Sequence, residues 1–452
     1  MTGAVLEAAS RELPRPSVRD QARYVRRLFV DPRAVLDEIA SRYGPVCGLG
    51  FGPVRSAVVG DPAALRDLFA VPAESLRWGH KFNVLGFVVG GGSMIVSDGE
   101  DHRRRRSSVQ AAFSIRRLNG WMPMIVARTD RAVDGIRVKR DGEVREVDMY
   151  TVGRSVVLGI VIHALFGERL SRRAGEIGDL FQSAQDYLEL PPYRQAPHPL
   201  PFGARARVRA DRRALDAIID GEIATRRARP SRDPLDILDV LVTEGSLSDP
   251  EIRDQVVTLI GAGYDTTAAA LAWMLWCATL TPGLWDSLAR EAEEVLGPVD
   301  EPRALDRGAL ASLGLADRVM RETLRLHPPG ALTPREAVSD LVVGGYRIPK
   351  GTLILWSAHL AGRNGEAWED PLRFDPSRFD DPTPEQRAIA ESARVPFGRG
   401  HRGCIGFAMA QMELTLIIAR LAQRLVLRPT ADTVPEPVGV VINRPRGGVP
   451  MT

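Results

Sequence analysis

The stretch from Pro396 to Gly406, Pro-Phe-Gly-Arg-Gly-His-Arg-Gly-Cys-Ile-Gly, sets a lone cysteine among four glycines, two arginines and a histidine. A thiolate is the metal-binding form of cysteine. It is favoured where cations and the unpaired N–H groups of a helix start lie nearby. Cys404 meets both conditions, because the apolar run from Phe407 through Met412, Leu414, Ile417 and Leu421 reads as a largely buried helix starting just after it. Glycines such as Gly398 let the backbone turn tightly and approach a large flat group without a Cβ in the way. Gly406 and Ala410, four apart, put small side chains on one helical face. These are the needs of an axial haem ligand; the competing reading is a buried free cysteine in a glycine-rich turn.

A second candidate lies inside a helix expected from Pro250 to about Leu280. There Gly261-Ala262-Gly263-Tyr264-Asp265-Thr266-Thr267 interrupts an otherwise apolar pattern. Each glycine costs roughly 1 kcal/mol against alanine in a helix, and a buried aspartate costs more unless partnered. One reading is a kinked or opened groove for a small ligand, with Asp265 and Thr266 passing protons to it. The other is a helix-packing notch with threonine bonded back to the helix. A third candidate is the helix opening at Asp98, where His102 and Arg106 share a face; its four consecutive arginines also suit a solvated basic run. Glu322 and Arg325, three apart and flanked by Met320 and Leu324, read as a buried pair holding architecture together.

The elements that must position these residues are mostly helical. Val18–Tyr43 reads as a helical entry and Val46–Val59 as a hairpin of short strands. Asp61-Pro62 opens a helix to Phe69, with proline at its first position. Val71–Ile95 resists assignment and reads as a long aromatic loop. Helices are expected at Trp121–Arg137, Ser155–Phe166, Glu176–Leu188, Ala204–Arg227, Pro234–Gly245 and Leu315–Leu326. Leu341–Val343 and Tyr346–Ile348 flank a Gly344-Gly345 turn, with Leu353–Trp356 a further strand. Trp368–Phe379 reads as a proline-aromatic meander, and Leu425–Arg428 and Val438–Ile442 as terminal strands.

The 452 residues carry a net charge of only +3, so nucleic acid is not implied. Three widely spaced cysteines form no CxxC pair, which argues against a disulfide framework or a zinc site and suits a reducing cytosol. The polar N-terminus lacks an apolar signal core. The longest apolar runs, Ser155–Gly167 and Ala268–Leu280, are too short to span a bilayer. A soluble, cytoplasmic monomer is expected: a flexible tail over residues 1–17, then one large domain over 18–452.

Taken together these stretches resemble the cytochrome P450 family, from about Tyr43 to Arg444. The cysteine loop fits F-x-x-G-x-R-x-C-x-G as Phe397, Gly400, Arg402, Cys404 and Gly406. The central helix fits A-G-x-D-T-T as Ala262, Gly263, Asp265, Thr266 and Thr267. Glu322 and Arg325 fit E-x-x-R, and Pro371, Phe374, Pro376, Arg378 and Phe379 fit the meander motif P-x-x-F-x-P-x-R-F. Where members often carry R-D-P, this chain has Arg363-Asn364-Gly365, which touches a turn and not the chemistry.

The resemblance implies a mainly α fold with small β-sheets and haem b held by the Cys404 thiolate. Asp265 and Thr266 match the distal acid–alcohol pair. His102, Arg106, Arg335 and Arg402 match positions that bind the haem propionates, a task suited to the guanidinium fork. Ala262, Gly263, Phe397, Gly398 and Gly406 match positions that border the haem, and Arg378 completes a structural triad with Glu322 and Arg325. The implied activity is insertion of one oxygen atom from O2 into a lipophilic substrate. No flavin or nicotinamide site is visible, so electrons are expected from a ferredoxin or flavodoxin with its reductase. Arg103, Arg104, Arg105, Arg394, Arg399 and His401 are a candidate basic docking face for an acidic partner. Candidate pocket walls are Phe82, Leu85, Phe87, Val88, Tyr187–Tyr193, Ala331–Thr333 and Val440–Ile442. A haem-thiolate sensor or carrier and a peroxide-driven oxidase are the alternatives; neither needs the acid–alcohol pair.

Overall fold

The computed structural model describes residues 11–28, 30–50, 55–78, 84–136, 146–196, 202–231 and 236–452. They are organised in two compact units, and the chain visits each unit three times. The first unit draws on Met1–Asn83, Leu324–Cys404 and Val438–Asn443; the second on Val84–Thr323, Ile405–Pro437 and Arg444–Thr452.

The expected helical entry is two helices, α1 (Val18–Leu28) and α2 (Pro32–Tyr43). The break follows from Asp31-Pro32: the Asp31 carboxylate accepts from the Ala34 N–H, and proline takes the first-turn position where its missing N–H is harmless. The hairpin is as expected, β1 (Val46–Leu49) antiparallel to β2 (Ser56–Val59), with Val46 opposite Val59. Asp61 caps α3 (Pro62–Ala70) in the same way as Asp31 caps α2. Val71–Ile95 is not one loop, for it holds β3 (Leu76–Arg77) and, in the second unit, α4 (Val84–Val89). Phe82 lies outside the described residues.

In the second unit follow α5 (Gly99–Ala112), α6 (Ile115–Ile136), β4 (Val147–Asp148), α7 (Met149–Ser171), α8 (Ala174–Leu188), α9 (Ala204–Ala228), α10 (Ile237–Glu244), α11 (Asp249–Leu280) and α12 (Leu284–Leu296). α7 is longer than its apolar core, because Asp148 caps it at one end and it carries on past a bend at Gly167. Among the described residues it is the one helix long and apolar enough to cross a membrane. Two thirds of that window (67%) is buried within the protein, as in a core helix.

α13 (Gly314–Leu326) ends before Pro328. Beyond it the first unit adds β5 (Thr333–Ala337), β6 (Leu341–Val343), β7 (Tyr346–Ile348), β8 (Leu353–Trp356), α14 (Ala358–Gly362) and α15 (Pro384–Ala393). The five-stranded sheet runs β1-β2-β8-β5-β3, with β2 and β8 parallel and the other pairs antiparallel. Gly344 and Gly345 both take positive φ, 59° and 74°, as a tight β6–β7 turn requires. The sheet's core face buries Ala57, Val59, Leu65, Ile354 and Trp356; its other face packs Val58 with Tyr24, Leu36 and Ile39.

The expected flexible tail is docked from Arg11 onward. Arg11 exchanges backbone hydrogen bonds with Gly345 and Arg347, its guanidinium lies over the Tyr346 ring, and Leu13 is buried in the core. In the second unit α16 (Phe407–Arg424) packs with α6, α11 and α12. The strand expected at Leu425–Arg428 is absent: only Arg428 pairs, exchanging both backbone hydrogen bonds with Thr452. β9 (Pro450–Met451) pairs instead with β4.

Candidate active site

Cys404 lies at the end of a turn that glycine makes possible. Gly398 and Gly400 have φ of 62° and 67°, values an L side chain rarely adopts. A short 3₁₀ turn at Gly400–Arg402 follows, the Gly403 N–H donates to the Gly400 carbonyl, and the Cys404 N–H reaches back to Phe397 at 2.8 Å. This pins the cysteine backbone while its side chain stays exposed. Cys47 and Cys277 are both buried, and burial pushes the Cys47 thiol up to about 11, where it is inert. The buried-core reading of Cys404 is therefore wrong. α16 starts three residues on with Gly406 at its N-cap.

In the first unit, Arg335 of β5 and Arg402 of the cysteine loop line one cavity, together with His401, Phe69, Leu76 and Trp356. Arg335 is oriented by its own strand, whose Cα pairs with Ile354, and its guanidinium lies 5.2 Å from the Trp78 ring. Two guanidiniums at an apolar-walled opening suit the carboxylates of a large apolar ligand. A Cβ on Gly398 would meet the Trp356 ring at 3.4 Å, an ordinary contact, so it is the positive φ that calls for glycine there. His102 is buried and Arg106 half-buried on α5, one turn apart in the second unit.

α11 carries the distal candidates. It is one continuous helix through both glycines. A Cβ on Gly261 would come within 2.5 Å of the Phe181 ring of α8, and one on Gly263 within 3.3 Å of Val161 on α7. Close helix packing thus accounts for both glycines, as in the notch reading. Packing does not account for the side chains beside them. Ala262 is exposed and Thr266 half-exposed in a helix buried on both flanks, and the Thr266 hydroxyl donates to the Ala262 carbonyl at 2.6 Å. Asp265 is only 4% exposed.

Burial raises the Asp265 carboxyl above the usual range, while the cations Arg154 and Arg444 act against that rise. The Tyr150 hydroxyl donates to Asp265 at 3.4 Å. Arg154 lies over the Tyr150 and Tyr264 rings and donates to Gln182 and Gln185 of α8. Sequence reasoning missed these partners. The i,i+4 spacing of Tyr150 and Arg154 on a helix was the available signal, but nothing local said that α7 faces α11.

The basic run on α5 is neither a free docking face nor a solvated stripe. Arg104 and Arg105 both donate to Glu251 at the start of α11, and the Arg105 side chain is only 13% exposed. The Arg104 hydrogen bond, with help from Ser248 and Arg105, holds the Glu251 carboxyl down at about 2. Only Arg103 of the three is well exposed, and it pairs with Glu100. Glu251 also closes a capping box with Ser248, so one carboxylate serves both its own helix start and α5.

Glu322 and Arg325 are fully buried in α13. Arg325 donates to the carbonyls of Gly362, Pro371 and Arg373, and Arg378 donates to that of Asp370. The two arginines thus hold the meander by its backbone. Among the expected pocket walls, Val88 lines an apolar cavity with Phe181, Ala184 and Val257, whereas Tyr187 is fully buried and bonded to Gln195 and Arg205.

In the first unit, an exposed thiol on a pinned turn and a cationic cavity lined by the same loop match what the family resemblance implies. Comparison with known proteins gives the same answer. The sequence profile of the Cytochrome P450 family matches residues 27–449. Putative cytochrome P450 139 of Mycobacterium tuberculosis is 36% identical over 395 residues, covering 86% of this chain and 89% of that protein. Pentalenene oxygenase of Streptomyces avermitilis is 30% identical over 419 residues, covering 89% and 88%. The structure of retinoic acid bound cyanobacterial CYP120A1 superposes with a TM-score of 0.82 over 94% of each chain at 24% identity, the same mainly helical fold with small sheets. The chain belongs to the cytochrome P450 family of haem-iron monooxygenases.

Proposed function

We propose that this chain inserts one oxygen atom from O2 into a lipophilic substrate, using electrons delivered by a separate ferredoxin or flavodoxin. Bound haem b supplies the oxygen-activating chemistry. Cys404 would ligate its iron, Arg335 and Arg402, with His102 and Arg106, would hold its propionates, and Phe397, Gly398, Ala262, Gly263 and Gly406 would border it. The observation that carries the reading is the pairing on α11 of a buried acid with a half-exposed alcohol one residue on. Thr266 is bonded to the helix through its hydroxyl hydrogen, so its oxygen remains an acceptor that can receive and relay a proton. Asp265, with its carboxyl raised by burial, is a proton reservoir behind it. A sensor or carrier has no use for such a pair, and a peroxide-driven enzyme needs no proton delivery of this kind.

A lipophilic substrate is in keeping with the side chains that α4, α8, α9 and α11 turn toward one another, around a void no larger than one water. Its lining is apolar except for Arg212, whose guanidinium is bonded to the Val88 carbonyl and to Asp216 and Asp254. The names of two similar proteins, a pentalenene oxygenase and one solved with retinoic acid, point the same way. Three free cysteines suit a reducing cytosol. The test is the absorption spectrum of the reduced protein under carbon monoxide, followed by a screen of lipophilic compounds for substrate-induced Soret shifts. A thiolate-type Soret band that is lost in Cys404→Ser is expected; a wild-type spectrum without it would overturn the assignment.

A further inference from the structure

Asp265 is held by a network that reaches a neighbouring helix. The groups facing it are Tyr150 and Arg154 from α7, Arg444 near the C-terminus and Glu189 at the end of α8. Arg154 is the connecting member. It donates to Gln182 at 2.7 Å and Gln185 at 3.2 Å, so two positions one turn apart on α8 fix where its charge lies. It also lies 5.1 Å from the Tyr264 ring centre, next to Asp265 on α11. Its Nε is buried without a hydrogen-bond partner, as is Nε2 of Gln185, so packing and these few bonds are what hold it. A different face of α8, Leu180, Phe181 and Ala184, lines the apolar cavity. Residues 180, 181 and 184 sit roughly a third of a turn around the helix from 182 and 185. One helix therefore touches the cavity with one face and the cation with another.

We propose that Arg154 is a positioning residue that couples α8 to Asp265, so that displacement of α8 tunes proton delivery by this acid. The proposal rests on the proton-delivery reading of Asp265. A shift of α8 moves the two glutamines, the glutamines move the guanidinium, and the guanidinium sets how strongly the Asp265 anion is favoured.

Infrared difference spectra of the ferric holoprotein across pH test the idea without turnover. The carboxyl band missing in Asp265→Asn reports the titration of this one group. Arg154→Gln is expected to raise its midpoint by about one pH unit, and Arg154→Lys, which keeps the charge, to restore most of it. The double variant Gln182→Ala, Gln185→Ala is expected to move the midpoint although it leaves Arg154 in place. Every variant is first checked for the carbon monoxide spectrum of folded holoprotein. An unmoved midpoint in Arg154→Gln overturns the role of the cation, and an unmoved midpoint in the double variant overturns the link to α8. If Asp265→Asn instead couples electron use to product as well as wild type does, the proton-delivery reading fails, whatever the midpoints do.

Discussion

Thr266 and Asp265 are adjacent in sequence yet differ in surroundings: the alcohol is half-exposed and the acid is buried against Tyr150. On the proposed function the alcohol faces the reacting site and the acid supplies protons from behind it. Thr266→Ala should leave reductant consumption running while product per electron pair falls roughly tenfold or more. The missing oxygen should appear as peroxide, measured alongside product. Full coupling in this variant would sink the relay.

At the scale of elements, two joints are exposed to test. Glu251 ties the start of α11 to α5 through Arg104 and Arg105. Its folded value of about 2 lies below the ordinary 4.5, so between these values the unfolded chain binds the extra proton. The stabilisation is complete above the ordinary value and is lost as pH falls toward about 2. Glu251→Gln should lower stability at neutral pH by about 1–2 kcal/mol and flatten the acid limb of the melting temperature against pH. An unchanged acid limb would show that the pairing is too screened to matter. The second joint is Gly362, whose Cβ would collide with the Arg325 carbonyl while its own carbonyl accepts from the Arg325 guanidinium. Gly362→Ala should destabilise by about 3 kcal/mol, near the upper end for overpacking. Gly261→Ala, against the tip of the Phe181 ring, should lose about 1–2 kcal/mol because a ring yields more readily than backbone. Equal losses in the two variants would contradict this distinction.

For the whole molecule, the question is how electrons arrive. A net charge of +3 gives little long-range attraction for an acidic partner, so steering depends on local cations. Arg104 and Arg105 are committed to Glu251, and among the described residues of the cysteine loop the exposed basic side chains are Arg399 and His401. Arg399→Glu should slow reduction by an acidic ferredoxin several-fold, increasingly so at low salt, and leave reduction by dithionite unchanged. A rate indifferent to both the substitution and ionic strength would remove the cysteine loop from the docking surface.

The residues that define the chemistry were legible because each is short-range. Glycines at positive φ, a cysteine before a helix, and an acid next to an alcohol in an apolar run are local patterns that need no knowledge of neighbours. The β6–β7 turn and the Asp61-Pro62 cap were legible for the same reason, although the Asp31-Pro32 break inside the helical entry was passed over. The reasons behind other residues lie across space. Gly261 and Gly263 looked like an opening in α11 and proved to be contacts for Phe181 and Val161, which lie far away in sequence. The arginine run looked like a surface and proved to be half of an ion-pair cluster, because a charge pattern does not say which element packs against it. Residues 11–17 looked like a tail, yet an unpaired strand edge at β7 and space for Leu13 fixed them. The sequence by itself determined which residues are the candidates to bind iron and carry protons. Only the tertiary structure decided which charges are neutralised, which glycines are filled against, and that Arg154 connects α8 to Asp265, since burial and partnership are properties of packing.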